Sequence, residues 1–155
     1  MTNSNATTTD PAASIIGCPQ CGRANRVRPT PRGIPRCGSC HQVLPWLVET
    51  TAATFDQELH ASVPVLVDFW APWCGPCRTM APVVEQVARQ RAGQLKVIKL
   101  NVDDAAATAA RFNVQGIPLL VLTRNGREVA RQAGAVPLRR LQDWLDRQLT
   151  GQPSS

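Results

Sequence analysis

The strongest constraint on the fold is a buried strand that is followed at once by two cysteines and a helix. Val65–Trp70 is a nearly continuous apolar run, as expected for a central strand that is covered on both faces. The motif Trp-Cys-Gly-Pro-Cys follows at residues 73–77, and apolar residues then recur with the helical period to about residue 91. This strand-to-helix transition indicates an α/β fold and places both cysteines at the start of a helix.

The start of a helix changes the chemistry of a cysteine that is placed there. Free backbone N–H groups and the positive end of the helix dipole favour an anion, and therefore the thiolate of Cys74. Cys77 lies one turn further on, close enough to attack a mixed disulfide at Cys74, and Pro76 presets the first turn. The pair is predicted to cycle between dithiol and disulfide by exchange. A structural disulfide and half of a metal site are the alternatives, but Cys-x-x-Cys near a βαβ pattern favours redox chemistry.

Residues 46–150 continue the α/β pattern. An Ala-rich helix with Asp103 or Asp104 as its cap follows the second long strand, and Asn125-Gly126 is a strong hairpin signal. The predicted order is β-α-β-α-β-α-β-β-α, which gives a central mixed sheet flanked by helices. Its early strands are expected to be parallel and its last hairpin antiparallel. Besides the central strand, strands are predicted at 46–49, 95–102, 119–123 and 127–131.

Three further positions in this region are candidates for function. Asp68 interrupts the central strand, and a buried carboxylate takes up a proton unless it is paired. It is therefore a candidate proton acceptor and donor for Cys77, although a solvated strand edge would leave it idle. Lys99 is a second candidate for a functional role, and the alternative is a solvated strand position without a function. Pro118 ends a Gly-Ile-Pro motif at the start of a strand, and the sequence alone does not give its isomer.

The other four cysteines lie before this region, as two Cys-x-x-Cys pairs. Cys18 and Cys21 are separated by fifteen residues from Cys37 and Cys40, which is the spacing of a four-cysteine zinc ribbon. Four thiolates complete a tetrahedron without an open position, so the predicted zinc site is structural. His41 adjoins Cys40 but is not needed as a ligand. A second dithiol system is the alternative, and the spacing favours zinc.

Composition divides the chain into four segments. Residues 1–14 and 151–155 are predicted to be disordered tails, and residues 15–45 form a zinc-ribbon module that needs its metal to fold. Residues 46–150 form the α/β domain. The first 45 residues carry five Arg and one Asp, which raises the alternative of a nucleic-acid partner. Because no aromatic residue precedes Trp46 to stack on bases, we interpret the arginines as offsetting the negative zinc–thiolate centre.

The expected cellular compartment is inferred from the absence of transmembrane and secretory-signal patterns in the sequence. No apolar stretch approaches the ~18 residues of a transmembrane helix, and the first residues lack the basic and apolar regions of a secretory signal. We therefore expect a cytoplasmic protein, monomeric by default and without membrane contacts. Thiols stay reduced in the cytosol, which favours metal or redox chemistry for the six cysteines over structural disulfides.

Taken together, these motifs resemble the thioredoxin family throughout residues 46–150. The matching segments are 67–77, 99–103, 116–118, 125–126 and Gly134. With its ribbon, the chain resembles the zinc-containing thioredoxin 2 type of bacteria. The resemblance implies a thioredoxin fold with a small N-terminal zinc-ribbon module, one structural zinc ion and no bound organic cofactor.

The resemblance also implies roles for individual residues. Cys74 would be the nucleophile, Cys77 the resolving cysteine and Asp68 the buried acid/base, modulated by Lys99. Pro118 would be cis and would face the disulfide. Leu119 departs from the family, which usually carries Thr there. The implied apolar docking surface beside Pro118 consists of Trp73, Val102, Ile117, Gly134 and Ala135.

The leading functional hypothesis is a cytosolic protein-disulfide reductase. The resemblance implies recharging by NADPH-dependent thioredoxin reductase, clients such as reductases and peroxide-handling enzymes, and a role in redox homeostasis and oxidative stress. One alternative is a thiol oxidase or isomerase, against which the Gly-Pro pair and the lack of an export signal count. The other is a zinc-dependent binding or holdase module on the same scaffold.

Overall fold

The structure is a computed structural model that describes residues 13–28 and 34–150. The tails predicted at 1–14 and 151–155 lie outside the described residues, apart from residues 13 and 14. None of the helices in the described ranges is long and apolar enough to cross a membrane.

A five-stranded mixed sheet forms the centre of the chain after residue 46. Its strands, numbered after the two strands of the N-terminal hairpin, are β3 (Leu47–Thr50), β4 (Val65–Trp70), β5 (Lys96–Asn101), β6 (Leu119–Arg124) and β7 (Arg127–Ala133). In the order β3-β5-β4-β6-β7, strands β3 and β4 both run parallel to β5, whereas β6 and β7 are antiparallel to their neighbours. This confirms the predicted mixed sheet with its antiparallel final hairpin.

Helices cover both faces of this sheet. They are α1 (Phe55–Leu59), α2 (Gly75–Gln90), α3 (Ala106–Arg111) and α4 (Leu138–Thr150). On one face, α2 and α4 bury a cluster that includes Leu66, Val84, Leu120 and Leu145. On the other face, α1 contributes to a cluster that includes Phe55, Val67, Phe69 and Ile98. Because β4 lies between the clusters, its alternate side chains are buried on opposite faces, as its continuous apolar run predicts.

The Ala-rich helix α3 begins differently from the prediction, since neither Asp103 nor Asp104 caps it. Both lie in a short 3-10 turn, where the Asn101 side chain accepts a hydrogen bond of 3.0 Å from the Asp103 N–H. Ala105 directly precedes the helix and supplies no side-chain cap. Asn101 therefore caps the 3-10 turn that precedes α3, and the Asp103 carboxylate is not used as a helix cap. This carboxylate is available for another contact.

Lys96 is a buried cation that the sequence pattern does not single out. Its side chain is almost fully inaccessible at the start of β5. The Lys96 Nζ donates to the Glu58 carbonyl oxygen at 2.7 Å and to the Glu58 Oε1 at 2.8 Å. A buried ammonium group without partners would be costly, and these two hydrogen bonds provide the partners. They also connect the end of α1 to the central sheet.

The N-terminal module packs directly on the sheet domain. Its hairpin pairs β1 (Ser14–Gly17) with β2 (Ala24–Val27) in antiparallel register, so β1 begins at the last residue of the predicted tail. Trp46 is fully buried, and its backbone N–H donates to the Ala88 carbonyl in α2 at 3.2 Å. The module and the domain therefore share one apolar cluster, which includes Ile16, Cys18, Val27, Cys37, Leu44, Trp46 and Ala92.

Candidate active site

The centre of the candidate site is a disulfide between Cys74 and Cys77. Cys74 is the N-cap of α2, and its Sγ accepts a hydrogen bond of 3.2 Å from the Cys77 N–H. Pro76 lies in the first turn, where its missing N–H is not needed. Only 4% of Cys74 is exposed, so a reacting disulfide has to approach closely. The helix start thus supplies a backbone donor to this sulfur, as the sequence predicts.

A loop that ends at Pro118 lies against this disulfide. The Ile117–Pro118 peptide bond is cis, as the resemblance implies, and the Ile117 carbonyl oxygen lies 3.9 Å from the Cys74 Sγ. Ile117 and Val102 both pack against the cluster that contains the two cysteines. Gly134 has a φ of 82°, which favours glycine, and its N–H donates to the Pro118 carbonyl at 3.0 Å.

Next to Pro118 is an apolar groove with a volume of about 320 Å³. Leu119 borders the groove but is itself buried, in the apolar cluster that contains Phe55 and Phe69. Ala135, predicted as a docking residue, is exposed one position beyond the groove. The residues that line the groove include Gly116, Ile117, Pro118, Leu119, Ala133 and Gly134.

Trp73 is the exposed aromatic residue of the site, with 66% of its surface accessible. Its Nε1 donates to both carboxylate oxygens of Asp103, at 3.1 and 3.0 Å. Asp103 is thus a residue of the candidate site rather than a helix cap. No local pattern could have indicated this, because the two residues are thirty positions apart in the sequence. The bond holds the indole at the rim of the site while its apolar surface stays accessible.

Asp68 is buried on the side of the sheet that α2 covers. Only 3% of it is exposed, and in β4 it shares a face with Leu66, which packs against α2. Burial raises the pKa of Asp68 to about 6, Lys99 opposes this rise, and Glu49 adds to it. A carboxyl group with this pKa can exchange a proton near neutral pH.

Glu49, Lys99 and Asp68 form one row across three strands. Lys99 in β5 is directly opposite Glu49 in β3 on one side and Asp68 in β4 on the other. The half-buried ammonium of Lys99 lies 4.7 Å from the ring centroid of Trp70. The family resemblance implies Lys99 as a modulator but does not indicate Glu49, because only the strand register brings Glu49 into the row.

The four N-terminal cysteines come together as a second cluster. Their sulfur atoms all lie within 4.8 Å of one another, with 3.6 Å between those of Cys18 and Cys40 and 3.5 Å between those of Cys21 and Cys37. None of the four is in a disulfide. A tetrahedral zinc ion with four sulfur ligands requires sulfur atoms about 3.8 Å apart, so this donor set fits zinc. His41 is exposed and lies outside the cluster.

Backbone hydrogen bonds favour the thiolate form of two of these cysteines, whereas a backbone hydrogen bond from Gln42 does not prevent burial and contacts with the other three sulfur atoms from raising the pKa of Cys40 to about 12. The pKa of Cys18 is lowered mainly by a hydrogen bond from the Cys21 backbone. The pKa of Cys37 is lowered to about 6, first by the Cys40 backbone and then by other donors that include Asn25. Metal binding requires deprotonated cysteines, so these donors favour ligation.

We predict that Asp68→Asn stabilises the folded protein at neutral pH. The folded state binds the Asp68 proton more tightly than the unfolded state, so this group costs stability as the pH rises from about 4 to about 6. Removal of the charge should add about 2–3 kcal/mol at pH 7 and almost nothing below about pH 4. Denaturant unfolding across this pH range, with the exposed Asp104→Asn as control, measures the difference. A pH-independent effect would contradict the assignment.

The row across the sheet predicts opposite effects of Lys99 and Glu49 on the pKa of Asp68. Lys99→Met removes a cation and should raise the pKa of Asp68, whereas Glu49→Gln removes an anion and should lower it by a smaller amount. Carbon-13 NMR titration of the Asp68 carboxyl group reads this directly. Arg127→Gln, in the distant hairpin, is the control. Shifts of the same sign in both variants would refute this electrostatic account.

Comparisons with known proteins agree with this geometry. The family model described as thioredoxin matches residues 46–147. Thioredoxin 1 of Synechococcus elongatus is 49% identical over 100 residues, which cover 64% of this chain and 94% of the relative. Thioredoxin C-3 of Corynebacterium nephridii is 42% identical over 142 residues, which cover 89% of this chain and 97% of the relative. The second match is too long to be confined to 46–150. This chain therefore belongs to the thioredoxin family of protein-disulfide reductases.

Proposed function

We propose that this chain reduces disulfides of client proteins through Cys74 and Cys77 and is recharged by an NADPH-dependent thioredoxin reductase. The observation that carries the proposal is the Cys74–Cys77 disulfide at the start of α2, beside the carbonyl group of Ile117. A reversible disulfide at this position needs only a reductant to give the attacking thiolate. The membership of the thioredoxin family supports a dedicated reductase as that reductant.

The reaction is a pair of thiol–disulfide exchanges. The Cys74 thiolate attacks one sulfur of the client disulfide, which breaks that bond, forms a mixed disulfide and releases the second client sulfur as a thiolate that takes up a proton. Cys77 loses its proton to Asp68 and attacks the Cys74 sulfur. This breaks the mixed disulfide, closes the Cys74–Cys77 disulfide and releases the remaining client sulfur as a thiolate, which takes up a proton. The client leaves as a dithiol, two electrons richer than its disulfide.

The surroundings of the disulfide support specific roles in these steps. The Cys77 N–H, 3.2 Å from the Cys74 Sγ, favours the attacking thiolate. The pKa of Asp68, about 6, lets this carboxylate take a proton from Cys77 near neutral pH and return it later. Lys99 tunes that pKa. The client segment would dock on the surface formed by Trp73, Val102, Ile117, Pro118, Gly134 and Ala135.

The N-terminal module would make this chain a thioredoxin of the zinc-containing type 2. Cys18, Cys21, Cys37 and Cys40 would hold one zinc ion, whose chemistry would be structural because four thiolates leave no open position. The long match to thioredoxin C-3 supports a relationship that extends beyond the sheet domain. We place the module at residues 15–45 and the catalytic domain at 46–150.

The cellular role that fits this chemistry is reduction of cytoplasmic proteins. Reductases and peroxide-handling enzymes end their catalytic cycles with a disulfide and would be the clients. The chain would act as a monomer in redox homeostasis and the response to oxidative stress.

The catalytic proposal predicts different results for the two cysteines. In NADPH-coupled insulin reduction with thioredoxin reductase, Cys74→Ser and Cys77→Ser should both lose turnover to background. Only Cys77→Ser should accumulate a mixed disulfide with insulin, because it keeps the nucleophile and lacks the resolving thiol. Non-reducing electrophoresis, with and without dithiothreitol, detects this adduct. An adduct on Cys74→Ser instead would reverse the assigned roles.

The metal proposal predicts one zinc ion for each chain. Native mass spectrometry of protein purified under reducing conditions should show this stoichiometry. Cys37→Ser should bind zinc at least about tenfold more weakly, because one of four thiolate ligands is lost. Ser39→Ala, an exposed neighbour, is the matched control. A metal-free chain in which these four cysteines form a disulfide once the reductant is removed would favour a second dithiol system.

A further inference from the structure

Asn25 connects the two cysteine pairs of the N-terminal module. It lies in β2, after the first pair and twelve residues before Cys37. Its Nδ2 donates to the Arg23 carbonyl at 2.9 Å and reaches the Cys37 Sγ at 3.5 Å, while its Oδ1 accepts the Gly38 N–H at 2.9 Å. One amide therefore contacts the chain next to the first pair and the turn that carries the second.

These contacts suit an amide and no other side chain of that size. The amide presents a donor to the sulfur and an acceptor to the backbone at the same time. Aspartate would keep the acceptor toward Gly38 but would bring a negative charge toward the Cys37 sulfur. Alanine would lose both contacts.

The hydrogen bond from Asn25 to the Cys37 sulfur comes from outside the cysteine turn that carries this sulfur. Apart from contacts among the sulfur atoms themselves, several donors to these sulfurs in the described residues come from the backbone of the cysteine turns, such as the Gln20 N–H to Cys18 at 3.4 Å and the Ser39 N–H to Cys37 at 3.3 Å. Asn25 instead reaches the Cys37 sulfur from a separate element. Its hydrogen bonds can therefore set the position of one cysteine turn relative to the other, which the backbone bonds within a turn cannot do.

We propose that Asn25 is a positioning residue for the metal at the four-cysteine cluster: it holds the Cys37 turn on the hairpin and donates a hydrogen bond to the Cys37 thiolate. This inference rests on the proposed zinc site. Residues that orient metal ligands from outside the ligand set typically contribute 10–100-fold to metal affinity. A donor to sulfur also spreads negative charge that four neighbouring thiolates would otherwise concentrate.

The test compares zinc affinity in full-length Asn25→Ala, Asn25→Asp and the control Gln42→Ala. Gln42 is exposed in the same module, and the hydrogen bonds that it makes with Cys37 and Cys40 come from its backbone, which alanine keeps. Competition with a chromophoric chelator at fixed pH should show about 10–100-fold weaker zinc binding for Asn25→Ala. Asn25→Asp, which has almost the same shape, should be weakened at least as much, and Gln42→Ala should stay within about twofold of the parent.

A spectroscopic measurement separates positioning of the thiolate from general loosening of the module. In cobalt-substituted protein, the sulfur-to-cobalt charge-transfer band should shift in both Asn25 variants and stay unchanged in Gln42→Ala, since only the former alter a donor to the Cys37 sulfur. Insulin reduction by each variant verifies that the sheet domain is folded.

The outcomes distinguish this inference from the zinc proposal on which it rests. If the parent binds zinc and both Asn25 variants keep its affinity within about twofold and its cobalt spectrum, Asn25 has no positioning role. If Asn25→Ala binds zinc weakly but Asn25→Asp binds it as tightly as the parent, the proposed hydrogen bond to Cys37 does not contribute. Only the contact with Gly38 then matters for zinc affinity. If the parent itself takes up neither zinc nor cobalt, the zinc proposal fails, and this inference fails with it.

Discussion

The structure depends on the junction at which the buried strand β4 ends and the helix α2 begins. The apolar sequence of β4 fixes the strand between two clusters, and this fixes where α2 can start. The first backbone N–H groups of α2 have no partners within the helix, and the Cys77 N–H is available for the Cys74 Sγ. The same junction positions Asp68 two residues before the strand ends, on the face that α2 covers. The burial that stabilises the domain thus also raises the pKa of its one buried carboxylate in the described residues.

Trp46 extends this arrangement to the N-terminal module. Its side chain belongs to the apolar cluster that contains Cys18 and Cys37, whereas its backbone bonds to α2 through Ala88 and to β5 through Val97. The four-cysteine cluster therefore packs against the end of α2 that is opposite the disulfide. The module contains too little apolar material for a core of its own, and a metal together with this shared cluster would supply the missing stability.

Sequence reasoning succeeded where the determining interactions are local. The strand Val65–Trp70 and the hairpin at Asn125-Gly126 follow from patterns of a few residues, and both are confirmed. It failed where a partner is distant in the sequence. The sequence predicts Asp103 or Asp104 as a helix cap, but the Asp103 carboxylate instead binds Trp73. Glu49 joins the row with Asp68 only through the register of three strands. No pattern around these residues encodes such contacts, because the tertiary fold creates them.

We propose that the start of α2 makes Cys74, and not Cys77, the reactive thiolate. The most direct test is alkylation of the fully reduced protein with substoichiometric iodoacetamide at pH 7, followed by peptide mass spectrometry. We expect Cys74 to be modified first and Cys77 to react only slowly, because the backbone donor favours the thiolate of Cys74. Preferential modification of Cys77, or equal modification of both residues, would contradict it.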